Sequence, residues 1–395
     1  MNPIIKKIVL LLTILPLVAL NVKAQQSNTK TGQEIRIPME PDRWEYDTSD
    51  VEFITQEGIK AVHFKKGKRF TLKNQQFSNG TIEYDVALGR GFPGIYFRMS
   101  ADWKNGENFY LRYFGTTSPE SRTTLQYSAL IDDLSIWDLT DEYQAGARLN
   151  IPGWNHVKLV VSGKQMKAYV NDMSHPAMIV PGLEGGTSSG GIYFLGGEVT
   201  MANLVIRPGA TEGLSPEQGY ISTYNDPRYL RSWQVSPASD FAYGKEIVPL
   251  LPGGVYKGST IPDSSTRWTT ISAEDRGIVN LTRLYGYEKS NGRRLAWLKT
   301  SIESDQDQER ILNLGFSDEI WLFVNGQILY TDKNHFGSPG QKFPKGRCTI
   351  DNATVKLPLK KGKNEILIGL AAYFYGWGII ARLDDTEGIH LANKN

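Results

Sequence analysis

Cysteine is almost missing from this 395-residue chain: Cys348 stands alone, so no disulfide can close within the molecule and stability has to come from buried area. Histidine is scarce as well, and five scattered residues form no cluster with zinc-ligand spacing. Neither sign of charge is in excess, since 44 lysines and arginines face 42 aspartates and glutamates without a basic stripe or an acidic tail. Nothing electrostatic therefore recruits nucleic acid or an anionic membrane. Past the N-terminus no apolar run reaches the ~20 residues of a membrane span, so no integral membrane segment is expected in the mature chain. No organic cofactor is expected either.

What is present begins with a leader. Lys6 and Lys7 precede an apolar run from Ile8 to Leu20, and Val22-Lys23-Ala24 places a cleavage before Gln25. That is the pattern of a secretory signal peptide over residues 1–24, and it predicts a secreted or periplasmic protein. No cysteine follows the leader, so a lipid anchor at the new N-terminus is not expected. About 370 residues remain, enough for two domains at roughly 100 to 200 residues each.

From Trp44 to Arg207 apolar residues alternate with polar ones, and turn signals recur, which predicts an antiparallel sandwich or barrel. Ile82, Tyr84 and Val86 alternate with Glu83 and Asp85; Ile95, Phe97 and Met99 with Tyr96 and Arg98; Phe109, Leu111 and Tyr113 with Tyr110 and Arg112. Trp154 to Val161 reads as a hairpin arm that turns through Ser162-Gly163-Lys164 into Met166 to Asn171. After Pro208 a polar stretch reads as a linker, over 208–228. Alternation resumes over 229–391, where Asn325-Gly326 is a strong tight-turn signal between two strands. The fold class is all-β, with two β-sandwich domains at 40–207 and 229–391.

Several runs carry a family likeness. Phe77-Ser78-Asn79-Gly80-Thr81-Ile82-Glu83, Gly94-Ile95-Tyr96-Phe97-Arg98, Gly153-Trp154-Asn155-His156-Val157-Lys158, Tyr169-Val170-Asn171 and Gly191-Ile192-Tyr193-Phe194 resemble the laminin-G and concanavalin A-like jelly rolls of bacterial secreted proteins. In the second half, Ser317-Asp318 with Ile320-Trp321-Leu322-Phe323-Val324-Asn325-Gly326, and the Lys361-Gly362 to Ile366 run, resemble a galactose-binding-domain-like jelly roll. The resemblance implies sandwich architecture and a carbohydrate partner. Its motifs build turns and core strands, and they name no active residue.

Alternation points one set of side chains away from the core of the first domain: Glu83, Asp85, Tyr96, Arg98, Tyr110, Arg112 and Gln126. If they share a surface, the tyrosines can stack on sugar faces while arginine or carboxylate bonds hydroxyls and acidic substituents. The bland alternative is a solvated face of cross-strand ion pairs. Trp103 and Trp137, both in loop-like segments, are candidate sugar platforms. In the second domain the aromatic candidates are Tyr373-Phe374-Tyr375-Gly376-Trp377 and Tyr285-Gly286-Tyr287.

Catalysis is the alternative use. Glu83 and Asp85, two apart on one strand, lie about 6.5 to 7 Å apart at the backbone, within the span that glycoside hydrolysis needs. The glycosidases of this resemblance carry Glu-x-Asp-x-x-Glu, and position 88 here is Leu88, so the acid is absent. A lyase would instead use Arg98 or Arg112 against a uronate, with Gln126 as helper and Tyr110 or His63 as base or acid. Asp132-Asp133 and Asp384-Asp385 could lend carboxylates to a structural calcium, although adjacent acids more often just make turns. The expectation is a carbohydrate-binding protein; a polysaccharide-degrading enzyme and a structural or adhesion protein are the other readings.

Overall fold

The computed structural model describes residues 33–89, 91–112, 121–247, 261–286 and 293–392. The leader, Tyr113 and Tyr287 lie outside the described residues. The described chain is all-β; its helical content is one 3₁₀ turn at Pro41–Arg43 and one short α-helix at Leu281–Tyr285. Among the described residues no helix is long and apolar enough to cross a membrane.

Residues 35–208 build two antiparallel sheets packed face to face. One, here termed the open sheet, runs in the order Met178–Val180, Gln165–Val170, Trp154–Ser162, Gly80–Ala87, Val199–Pro208, Ile59–Phe64, Val51–Gln56, with Ile35–Ile37 also on Val199–Pro208. The other, the covered sheet, runs Leu134–Ser135, Leu125–Ile131, Gly106–Leu111, Gly94–Met99, Gly191–Leu195, Phe70–Leu72, Trp44–Glu45, with Gln144–Ala145 on Leu125–Ile131. Inward residues of both sheets interleave: Ile82, Tyr84 and Val86 meet Phe97, Phe109 and Phe194, and Trp44 stacks on Phe70 at 4.1 Å. Burying one such aromatic side chain stabilises by roughly 1.5 to 3 kcal/mol, which is how a chain without disulfides holds a sandwich.

Residues 232–391 build a second sandwich of the same jelly-roll kind. Its long sheet runs Thr269–Ser272, Ser232–Val235, Arg293–Ser304, Gly362–Ala372, Glu319–Val324, Gln327–Lys333, with Ser239–Phe241 and Ile389–Leu391 also on Arg293–Ser304. Its short sheet runs Ile278–Asn280, Gly378–Leu383, Gln308–Phe316, Ala353–Leu359. The Asn325-Gly326 turn forms as its residues predict, with φ of 49° and 76°.

The two sandwiches share a buried apolar junction. Ala129, Ile131, Leu134, Ile136 and Leu139 of the first pack on Ile278, Ile380, Cys348 and Tyr229 of the second. Arg276, 5 % exposed, crosses it with ion pairs to Glu142 and Glu184 and a 2.8 Å bond to the Leu139 carbonyl. The segment after Pro208 is not loose: Gln165 Nε2 donates to the carbonyls of Ser215 and Glu217, and Lys164 N donates to that of Pro216.

Candidate functional site

The expected single face is in fact two. Glu83 and Asp85 lie on the outer face of the open sheet, whereas Tyr96, Tyr110 and Gln126 lie on the covered sheet, on the other side of the core. The period of two says only that a side chain points away from its own sheet's core, and a sandwich has two such outsides. On the open sheet Glu83 pairs with Arg207, and His156 Nδ1 meets Asp85 Oδ1 at 2.6 Å. Asn203 Nδ2 donates to Asp85 Oδ2 at 2.6 Å. Burial works against the Asp85 carboxylate, but the His156 and Asn203 bonds outweigh it and hold its pKa below the ordinary value; the Asp85 bond in turn raises that of His156. Both carboxylates are thus tied into cross-strand pairs, and the catalytic role considered for them loses its geometry. His63 is on this sheet too, with Nδ1 3.1 Å from Thr200 Oγ1, far from any partner in the lyase scheme.

Arg98 also leaves the expected set. Met99 pairs with Gly191 and Tyr96 with Tyr193, so two residues stand opposite Ile192 alone and Arg98, at φ 52°, occupies a bulge. The bulge resets the alternation: Met99 joins Tyr193 and Leu130 outside, and the Arg98 guanidinium turns to Ser78 O (2.6 Å), Gly163 O (2.8 Å) and Asn79 Oδ1 (3.0 Å). It is a turn-holding residue with no donor pointing at the site's face.

The remaining candidates do come together. Register aligns Gly94, Tyr110, Gln126 and Gln144 in one row of the covered sheet, and Tyr193, Tyr96, Asn108 and Ser128 in the next. Gly94 matters because a Cβ there would stand 2.9 Å from Tyr110 Cβ and 3.0 Å from Asn108 Oδ1. Tyr96 stacks on Tyr193 at 4.3 Å; Trp103 packs against Tyr193, and Arg69 sits 4.6 Å over its ring. Asn108, 2 % exposed, leaves Oδ1 without a hydrogen-bond partner among the described residues.

Gln126 is the hub of the other side. Its Oε1 accepts from Tyr110 Oη (3.0 Å), from Arg112 Nη2 and from Arg347 Nη2 (3.1 Å), while its Nε2 donates to the Trp137 carbonyl (2.7 Å). Arg112 also donates to Tyr110 Oη (2.7 Å) and Gln144 Oε1 (3.2 Å). Trp137 meets Phe336 at 5.1 Å and Tyr375 at 5.5 Å, and Phe336 stacks on Phe374. Phe336 and Tyr375 stay 41 % and 39 % exposed, so this wall has an open edge. Burial raises the Tyr110 and Tyr96 hydroxyls above their ordinary pKa, and the Tyr110 proton is the one donated to Gln126.

Arg347, Phe336, Phe374 and Tyr375 come from the second sandwich, so the site belongs to neither alone. Phe374 and Tyr375 were on the list of aromatic candidates; Trp377 and Tyr285 from the same list pack together at 5.6 Å, with Trp377 3 % exposed in the core. Arg347, Phe336, Gln144, Arg69 and Tyr193 were missed. Arg347 lies in a loop without periodicity, and no local signal marks it. Asp138, beside Trp137, is fully buried; its carboxylate accepts from Gly376 N at 3.0 and 3.1 Å, and burial pushes its pKa up to about 7.

Asp132 and Asp133 take the two left-handed positions of a hairpin turn, at φ 50° and 66°, and Asp384 and Asp385 accept from nearby backbone N–H groups. Among the described residues no three metal-capable side chains gather. Elsewhere an open cavity of about 780 Å³ lies between Lys164, Tyr220, Tyr224, Asp226 and Asp275. None of its lining side chains is a buried group left unpaired, so volume alone marks it.

No family model matches the chain, and no curated protein matches it. Among solved structures, similarity extends to a CBM66 carbohydrate-binding module from Bacillus subtilis, at 13% identity and TM-score 0.30, over 45% of this chain and 97% of that one. A family 16 glycosyl hydrolase protein from Mycobacterium smegmatis gives 9% identity and TM-score 0.28, over 42% and 83%. A family 35 carbohydrate-binding module from an environmental isolate gives 17% identity and TM-score 0.20, over 28% and 84%. At these scores the likeness assigns no chemistry to this chain.

Proposed function

We propose that the chain is an exported carbohydrate-binding protein whose ligand lies across the outer face of the covered sheet, against the aromatic wall supplied by both sandwiches. The observation that carries this reading is the wall itself: Trp137, Phe336 and Tyr375 form an open-edged aromatic surface, with the half-buried Tyr96 on the same sheet face and the Tyr110–Gln126 network buried behind it. Apolar sugar faces stack on such rings. Binding is favoured over turnover because the nearby carboxyls are engaged: Asp138 with Gly376 N, and Asp141 with Arg122 at 2.9 Å.

The test is depletion of the purified exported protein by a panel of insoluble and gel-bound polysaccharides, with mass analysis of the supernatant sugars. Capture by at least one glycan, no released oligosaccharide, and loss of capture in Trp137→Ala and Tyr375→Ala is the expected result. Capture unchanged in both variants sinks the assignment of the site, and released oligosaccharide makes the protein an enzyme. Export itself is checked by N-terminal sequencing of the protein outside the cytoplasm, which should begin at Gln25.

A further inference from the structure

The cationic half of the site is not neutralised in the way the rest of the junction is. Arg276 is as buried as Arg347, and it has Glu142 and Glu184 for partners. Around Trp137, by contrast, stand the two guanidiniums of Arg112 and Arg347, with that of Arg122 sharing the Asp141 carboxylate. Asp141 serves Arg122 at 2.9 Å and Arg347 at 3.6 Å, and among the described residues Arg112 has no ion pair. The partners of Arg112 are the neutral oxygens of Tyr110, Gln126 and Gln144. Arg112 and Arg347 nevertheless converge, both donating to the one Gln126 Oε1, at 8 % and 5 % exposure.

Two like charges held together away from water repel, and desolvation adds to the cost. Burial first, and then Arg112, bring Arg347 down to about 10. A structural lock would be cheaper with a carboxylate, as Arg276 demonstrates. Asp141 and Asp138 offset part of that repulsion at Arg347, and an anion arriving from outside would offset more of it. The Trp137 ring lies 4.7 Å from the Arg347 Cζ and 5.8 Å from that of Arg112, so an aromatic platform and two cations occupy one place. A sugar that carries an acidic substituent offers the matching pair, an apolar ring face and an anion that guanidinium bonds through charge-assisted contacts.

We infer that the site selects acidic saccharides, with Arg112 and Arg347 binding a carboxylate or sulfate substituent beside the Trp137 ring. This rests on the carbohydrate-binding reading above and adds the ligand class.

The experiment measures affinities of the full exported protein for polygalacturonate, dextran sulfate and dextran by affinity electrophoresis, which separates a carboxylate, a sulfate and a neutral ligand. At least one acidic polymer should bind tenfold or more tightly than dextran. Arg112→Gln should remove most of that preference, while Lys66→Gln, an exposed cation outside the site, should keep it. The melting temperature of each variant is read alongside. If Arg112→Gln does not fold, Arg112→Lys replaces it: the charge stays but the fork is lost, and the preference should fall several-fold. Equal affinity for acidic and neutral polymers overturns the inference while leaving the carbohydrate reading standing. So does a preference that survives the Arg112 variant at full strength, or one lost equally in Lys66→Gln. Failure to bind any carbohydrate, these polymers or the wider panel, removes both.

Discussion

The two outer faces of the first sandwich are built by the same alternation and end in opposite surroundings. On the open sheet Glu83, Asp85, His156 and Arg207 pair across strands at the solvent boundary. On the covered sheet Tyr110, Arg112 and Gln126 are nearly dry, because the loop from Leu134 to Leu139 folds back against the second sandwich. Cross-strand ion pairs in water contribute little, and each can be lost without consequence for its neighbours. A buried network has no water to fall back on, so each member depends on the others. One face is a solvated surface and the other the proposed site, and the difference lies in what covers them.

Removing the covering should have the largest effect. Arg276→Met leaves Glu184 and Glu142 without their cation and should destabilise the protein by about 3 to 5 kcal/mol in denaturant unfolding. A loss under ~1 kcal/mol would mean the cover is held elsewhere. Next comes the hub: Gln126→Leu strands Arg112, Arg347 and Tyr110 without their shared acceptor and should cost about 2 to 3 kcal/mol by the same measurement.

The junction should also titrate. With its pKa raised to about 7, Asp138 keeps a proton in the fold that the unfolded chain has already lost, so its contribution to stability falls as pH rises from about 4 to 7. Asp138→Asn should remove that part of the slope. At about 1.4 kcal/mol per unit the variant should gain on the order of 3 kcal/mol relative to the parent between pH 4.5 and 7.5. Glu107, raised by burial to about 7, keeps a residual slope of the same sign in both proteins. Parallel stability curves for the two proteins would remove Asp138 from this role.

The smallest effect belongs to the open sheet. Glu83→Gln should change stability by less than about 1 kcal/mol, since its Arg207 partner keeps Glu34 at 2.8 Å. Glycan capture should not change. If Glu83→Gln abolished capture, the functional face would be the open one and the comparison would invert.

Much of the architecture was legible beforehand. The hairpin at Ser162-Gly163-Lys164, the turn at Asn325-Gly326 and the inward set Ile82, Tyr84, Val86 follow from period and turn chemistry, which act between near neighbours. Arg98 shows where the period fails: one extra residue in the strand turns every later side chain to the other face, and no residue type announces it. Tyr96, Tyr110, Arg112, Gln126, Trp103 and Trp137 could be named as outward or loop residues. Their grouping apart from Glu83 and Asp85 could not.

The sequence by itself determined that the protein is all-β and, away from the bulge at Arg98, which side chains enter each core and which aromatic and charged residues are left over. Those properties come from spacing along the chain and from the burial of apolar area. Only the tertiary structure decided that Arg347 and Tyr375 meet Arg112 and Trp137 across more than 200 positions of chain. Contacts at such separation are chosen by how two finished surfaces pack, and that packing has no period to read.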